Sequence, residues 1–171
     1  MKKLLTLLSL VLSFLGYGQL TQNFESGVFP PTGWTTFDNG IGTTNWSTTS
    51  STALAYGGTG TSAYLTRANG SSATTAEEYL VTSQVTVPAN GQLRFYTRTT
   101  LAGDDGTSFS VRVSTTSQTG TGSFTTIPGA TWTDNTLTTT YNVYEEKVIS
   151  LSAYAGQNIY LAFVRTNENG D

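Results

Sequence analysis

The sequence contains no cysteine and no histidine. The first absence excludes disulfides and a lipid anchor attached through cysteine. The second excludes a histidine-based triad, and the two together exclude a thiol nucleophile and an ordinary zinc site. Charge is also scarce. Charged residues make up 11% of the chain, against about 25% in an average domain. No run of basic residues is present, and eleven acidic residues outnumber eight basic ones, so binding to nucleic acid or to an anionic membrane surface is disfavoured. Long helical periodicity is missing as well.

Threonine and serine take the space that charge leaves, at about 30% of the residues, far above ordinary usage. Threonine is β-branched and favours strands, and its hydroxyl keeps a weakly charged surface wet. This composition points to an all-β extracellular protein. The first 18 residues have the pattern of a signal peptide. Lys2 and Lys3 form a positive start, Leu4 to Leu15 an apolar core, and Gly16-Tyr17-Gly18 a small-residue exit. The apolar run is too short to span a bilayer comfortably. Without Lys2 and Lys3, six basic residues remain against eleven acidic ones, a net charge of about −5. The mature chain, from residue 19, is expected to be secreted or held at the cell surface, as one domain with a two-sheet core and no membrane span.

Strand candidates follow one another with turn signals between them. Gln19 to Glu25 reads as a first strand, which Pro30 and Pro31 end because neither can donate to a ladder. Shorter candidates lie at Ala53 to Tyr56 and Ala63 to Thr66, and Ala68 to Ala76 reads as a polar loop. Tyr79 to Val87 alternates and stops at Pro88-Ala89-Asn90-Gly91. Leu93, Phe95 and Thr97 share one face, and Arg94, Tyr96 and Arg98 the other. Phe109, Val111 and Val113 alternate with Ser110, Arg112 and Ser114, the cleanest period-two signal in the chain. Phe124 to Ile127, Thr131 to Thr133 and Tyr141 to Ile149 are further candidates. Asn158 to Arg165 is apolar on both faces and is expected to be a central strand covered on both sides. Many short strands separated by turns argue a two-sheet antiparallel sandwich, and periodicity alone leaves open an immunoglobulin-like or a jelly-roll topology.

The most informative stretch runs from Asn23 to Trp46. Phe24-Glu25, Pro31-Thr32-Gly33-Trp34, Asp38-Asn39-Gly40 and Trp46 occur there in order. Downstream come Glu78-Tyr79-Leu80-Val81-Thr82, Gly91-Gln92-Leu93-Arg94-Phe95, Phe109 to Thr115, and Leu151 to Phe163. This ordered set resembles the cleaved adhesin family, which shades into the choice-of-anchor J domains of secreted Bacteroidetes proteins. The resemblance covers roughly residues 20 to 171. It implies a jelly-roll sandwich, and a non-catalytic adhesion module at the cell surface whose partner is a protein or a glycan. It also implies a calcium ion near the first loop, which puts forward Glu25 and Asp38 as ligands. Asn39 stands where a second aspartate is common, which keeps an oxygen ligand but removes a charge. In the family a Trp-x-x-Asp-Asp-Val strand closes one sheet. Nothing like it follows Asn167 here, so the domain is expected to lack its C-terminal closing strand.

Against these readings stand plainer ones. Asp38 also suits an Asx-turn, and Asp104-Asp105 an exposed β-turn. Trp34 and Trp46 suit core packing, whereas Trp132, between Gly129-Ala130 and Thr133-Asp134-Asn135, is the candidate for stacking on a sugar. Tyr56, Tyr64 and Tyr96 stay open. Asn45-Trp46-Ser47 and Asn69-Gly70-Ser71 match the glycosylation pattern, which means little if the source is bacterial. The adjacent carboxylate pairs Glu77-Glu78, Asp104-Asp105 and Glu145-Glu146 do not converge on one bond, because neighbours on a strand point to opposite faces. The Glu-x-Asp-x-x-Glu pattern of jelly-roll glucanases is lacking. The chain is therefore expected not to be an enzyme. A carbohydrate-binding accessory domain of a larger secreted hydrolase is the alternative, and a spacer without ligand a third reading.

Overall fold

The strand from Asn158 to Asn167 sits in the middle of the molecule because its sequence is apolar on both faces. The computed structural model describes residues 20–41, 45–66, 75–100, 102–104 and 106–167. The signal-peptide segment and most of the 68–76 loop lie outside these. In chain order the strands are β1 (Thr35–Asp38), β2 (Ser47–Thr49), β3 (Ser62–Tyr64), β4 (Ala76–Val81), β5 (Val85–Thr86), β6 (Gln92–Thr97), β7 (Thr107–Ser114), β8 (Thr125–Thr133), β9 (Glu145–Ser150) and β10 (Asn158–Asn167). One helical turn, α1 (Asp134–Leu137), follows β8, with Thr133 and Thr136 forming a capping box at its start.

The larger sheet has the order β1-β4-β10-β7-β8, every neighbouring pair antiparallel, and β5 pairs with the first residues of β10. Phe163 lies in register between Leu80 and Val111, and Arg165 between Glu78 and Phe109. The remaining strands form two separate pairs, β2-β3 and β6-β9. Among the described residues, β3 and β6 each have one strand neighbour.

Two apolar clusters cover the two faces of β10. Val111, Val113, Ile127, Ile149, Ile159 and Leu161 are buried in the first, with Leu93, Phe95, Trp132 and Phe163 packed against it. The second, on the outer face, gathers Tyr79, Val81, Phe124, Ala162 and Val164. There the Phe37 ring stacks on Tyr79 with centroids 4.6 Å apart and planes 11° from parallel. The sequence-based expectation for β7 and β10 holds at Val111, Val113 and Leu161, each at most 2% exposed. Phe95, Phe109 and Phe163 are only half-buried. They follow the same alternation, but at their end of the sheet the facing layer opens into a cavity.

Several boundaries differ from the sequence reading. Residues 20–25 are not a strand. Phe24 adopts a left-handed backbone (φ 62°), the Gln22 amide oxygen accepts its N–H, and Asn23 Oδ1 accepts the N–H of Glu25 at 3.1 Å. These local bonds compete with a ladder for the same donors. Ala53 to Tyr56 is a turn leading into a 3₁₀ helix at Tyr56–Gly58. The segment Tyr79 to Val87 divides into β4 and β5, and the two candidates at 124–133 fuse into β8.

The outer face also holds a polar network. Arg112 donates to Glu77 Oε1 at 2.6 Å, to the Tyr79 hydroxyl and to Thr166 Oγ1 at 3.2 Å, while the Tyr79 hydroxyl donates to Glu77 Oε2 at 2.7 Å. Burial works to raise the Glu77 carboxyl, but the hydrogen bonds from Arg112 and Tyr79 and the Arg112 charge outweigh it, so its pKa lies below the ordinary carboxylate value. A carboxyl whose pKa falls on folding adds stability above its unfolded pKa and loses that stability as pH drops through the folded value. Stability measured by urea denaturation should therefore decline as pH falls below about 4.5. Glu77→Gln should be less stable than wild type at pH 7, and its curve should be flatter across that acid range.

Candidate functional site

Between the larger sheet and the facing strands lies a cavity of ≈ 900 Å³. Its floor is apolar at Leu80, Phe109 and Phe163 and ends at Arg165. One wall is β6 and its continuation, where every residue from Arg94 to Thr100 lines the space; the other is Thr61 to Thr66. Side chains alternate along a strand. Unbroken runs of lining residues therefore mean that the edges of β6 and β3, rather than single faces, border the opening.

The end of the floor carries a buried ion pair. Glu78 is 0% exposed and Arg165 5%. Arg165 Nε donates to Glu78 Oε2 at 3.1 Å, and its Nη1 donates to the Thr66 carbonyl at 2.6 Å. Glu78 Oε1 has no hydrogen-bond partner among the described residues. The guanidinium thus ties β10 and β4 to the chain beyond β3. Removing one partner of such a pair leaves an uncompensated buried charge. Arg165→Ala should accordingly destabilise the protein by about 3–5 kcal/mol, and the double variant Arg165→Met/Glu78→Gln should recover part of that loss in urea denaturation.

Tyrosines frame the mouth of the cavity. Tyr56 and Tyr96 are each 50% exposed, with ring centroids 4.4 Å apart. Tyr144 meets Tyr56 edge-on at 5.1 Å, and its hydroxyl donates to the Leu54 carbonyl at 2.6 Å. Arg98 lies over the Tyr144 ring, 5.0 Å from its centroid, and donates to the carbonyls of Ala53 and Asn142. Beside Tyr96 on the outward face of β6, Arg94 donates to Glu146 Oε1 and to Gln92 Oε1, both at 3.1 Å. The Tyr96 hydroxyl has a raised pKa, first through its hydrogen bond with Tyr56 and then through the nearby Glu146 charge.

The residues put forward from the sequence are dispersed in their roles. Glu25 Oε1 accepts the N–H of Thr61 at 2.6 Å, which pins the N-terminal segment across the cavity mouth. Gly60 has φ +79°, and a Cβ there would stand 2.3 Å from Glu25 Oε1, so the contact requires glycine. Asp38 Oδ1 accepts the N–H of Gly40 at 2.6 Å, an Asx-turn at the end of β1. Asn39 Oδ1 accepts the N–H groups of Glu77 at 3.1 Å and Ile41 at 3.3 Å, and its Nδ2 donates to the Thr75 carbonyl. A carbonyl oxygen engaged by two donors does not fit a calcium ligand. Among the described residues no three acidic side chains form a metal-binding group. An ion shared by Glu25 and Asp38 would have to use their second carboxylate oxygens.

Trp132 stands edge-on to Phe95 at 6.3 Å, with Lys147 Nζ 5.9 Å from its ring centroid, and it borders a separate cavity of only ≈ 50 Å³. Trp46 borders both cavities and donates from Nε1 to the Glu78 carbonyl at 3.2 Å, and Trp34 packs edge-on against Phe24 at 5.9 Å. Sequence reasoning left Tyr56 and Tyr96 open and did not single out Tyr144. The available signal was Tyr96 itself, an aromatic on the Arg94/Arg98 face of a strand whose other face is apolar.

The architecture is an antiparallel sandwich with an open cavity and an aromatic rim. The pattern of the cleaved adhesin domain matches residues 18–170, and the chain belongs to that family. Its fold is similar to the K1 cleaved adhesin domain of Lys-gingipain from Porphyromonas gingivalis W83, with a TM-score of 0.57, 20% identity, and coverage of 87% of this chain and 94% of that one. It is also similar to TmCBM61, solved in complex with β-1,4-galactotriose, with a TM-score of 0.53, 16% identity, and coverage of 87% and 86%. Both likenesses support a jelly-roll-like antiparallel sandwich. No curated protein matches the chain in sequence. Among the described residues no helix is long and apolar enough to cross a membrane.

Proposed function

We propose that this chain is a secreted, non-catalytic adhesion module that binds an extracellular protein or glycan at the cell surface. The observation that carries the reading is the open cavity with its rim of exposed, mutually packed tyrosines on a cleaved adhesin sandwich. A binding surface needs exposed, pre-positioned contact groups, and the rim supplies them. The buried charges at the end of the cavity floor are paired with each other, Arg165 with Glu78. The alternative of a carbohydrate-binding accessory domain is favoured by the exposed Tyr56–Tyr96 pair, and the galactotriose bound to a protein of similar fold agrees with it. The test is a binding survey of the purified protein on arrays of extracellular proteins and of glycans. Saturable binding to one of them, with no cleavage of the bound molecule, is expected. Binding to neither, or turnover of what is bound, removes the reading.

Calcium enters as a stabiliser in a narrower form than the sequence suggested, held by Glu25 and Asp38 without Asn39. An ion there would join the N-terminal segment to the end of β1. It would stabilise the fold by about 2.7 kcal/mol at a hundredfold excess over its dissociation constant. A thermal melt in calcium should then exceed one in chelator for wild type, and Asp38→Ala should abolish the difference. Equal melting temperatures for wild type in the two conditions would remove the site.

A further inference from the structure

We infer that the ligand-contact surface is the outward-facing Tyr56–Tyr96 pair with the adjacent Arg94–Glu146 ion pair, and that its ligand is a neutral, hexopyranose-based glycan. This rests on the binding-module reading and narrows it to one site and one chemical class. The two rings lie 4.4 Å apart, tilted by 33°, and each is half exposed. At that spacing the rings overlap face to face, so they form an aromatic step in which one ring backs the other rather than an isolated side chain.

The step is built, not adventitious. Tyr56 is set at the start of a tight turn in which Gly57 and Gly58 both have positive φ (71° and 74°), and its N–H donates to Ser62 Oγ at 3.1 Å. Tyr144 buttresses its ring from the side, and Arg98 fixes Tyr144 in turn. Tyr96 is fixed by the backbone pairing of β6 with β9, opposite Glu146. Rings held this way lose little freedom when a ligand arrives.

The chemistry of the surroundings selects the ligand. A pyranose ring offers a face of C–H groups that packs on an aromatic ring and an edge of hydroxyls that need donors and acceptors. Arg94 and Glu146 supply both kinds of partner beside Tyr96, at a contact where each is exposed to solvent. Arg94 is already neutralised by Glu146 at 3.1 Å, and Arg98 is engaged by the Tyr144 ring and the carbonyls of Ala53 and Asn142, so beside Tyr96 an anionic sugar would meet a carboxylate and no uncommitted guanidinium. A protein partner would want a wider apolar centre. Here the exposed apolar neighbour on the β6-β9 face is Val148, paired in register with Arg94.

The test titrates the protein with β-1,4-galactotriose and with cellotriose by calorimetry, runs β-1,4-galactan and β-glucan in affinity gels, and uses polygalacturonate as the anionic control. Wild type should bind at least one neutral sugar and not the polyuronate. Tyr96→Ala and Tyr56→Ala should each weaken that binding about tenfold, by removing one ring of the pair from the contact. Tyr96→Phe, which keeps the ring, should retain it. Melting temperatures of the exposed variants should match wild type, so that a loss of binding is not a loss of fold. If neutral sugars bind equally well to both alanine variants, the site is overturned while the binding-module reading stands. Binding of polygalacturonate alone, or of an arrayed protein and no sugar, overturns the ligand class. Weaker binding in Trp132→Phe but not in Tyr96→Ala would move the site to Trp132 and likewise overturn this assignment.

Discussion

The structure depends on one strand that must be dry on both sides. Ile159, Leu161 and Phe163 project from one face of β10, and Ala162 and Val164 from the other. Fully burying a large aliphatic or aromatic side chain contributes about 1.5–3 kcal/mol, so leaving either face wet would forfeit a large part of a domain's net stability. The β6-β9 pair covers the first face, which β10 shares with its sheet neighbours β7 and β8. The second is covered within its own sheet, by Phe37 and Phe124 laid against Tyr79. Neighbours on both edges follow from the same placement, since a central strand must pair both of its edges, and both neighbours, β4 and β7, run antiparallel to it.

Toward its C-terminal end β10 changes character, and the site grows out of that change. Apolar residues give way to Arg165, which is buried with Glu78 facing it in register from β4 and the Thr66 carbonyl accepting from it. The facing layer parts at the same end into two strand pairs, so the aromatic floor at Phe109 and Phe163 meets a cavity instead of a packed second sheet. Polar walls rich in threonine and an aromatic rim follow directly from this opening. Fold and surface chemistry are thus linked through β10: its middle is committed to the core, and its end to the site.

Several of the charged side chains are engaged in internal pairings. Glu77 is held ionised by Arg112 and Tyr79 on the outer face, where the network braces β4, β7 and β10 against each other. Glu145 has its pKa lowered first by the Thr139 hydroxyl, with the backbone N–H groups of Thr139 and Thr140 adding to it, which ties the chain before β9 into a turn. Such groups fasten strands and turns. Tyr56 and Tyr96 stand apart from these pairings, each half exposed at the mouth of the cavity.

Much of the fold was legible in the residues, because period-two alternation reports directly which face of a strand is dry. Val111 and Val113 on β7, and the doubly apolar β10, could be placed from sequence for that reason. The Asp38 turn was legible too, since an aspartate two residues before a glycine bonds its backbone locally. Other features depend on contacts between residues far apart in the chain. Residues 20–25 look like a strand by composition, yet Gln22 and Asn23 take the backbone donors, and Glu25 is claimed by Thr61. Whether Asn39 was a ligand or a strap turned on Glu77, 38 positions away. The sequence by itself determined the all-β class, the central strand and the membership of the cleaved adhesin family, because these reside in local patterns. Only the tertiary structure decided that Trp132 leans on Phe95 while Tyr56 and Tyr96 meet in the open, since two rings forty residues apart become a surface only when the strands that carry them are placed.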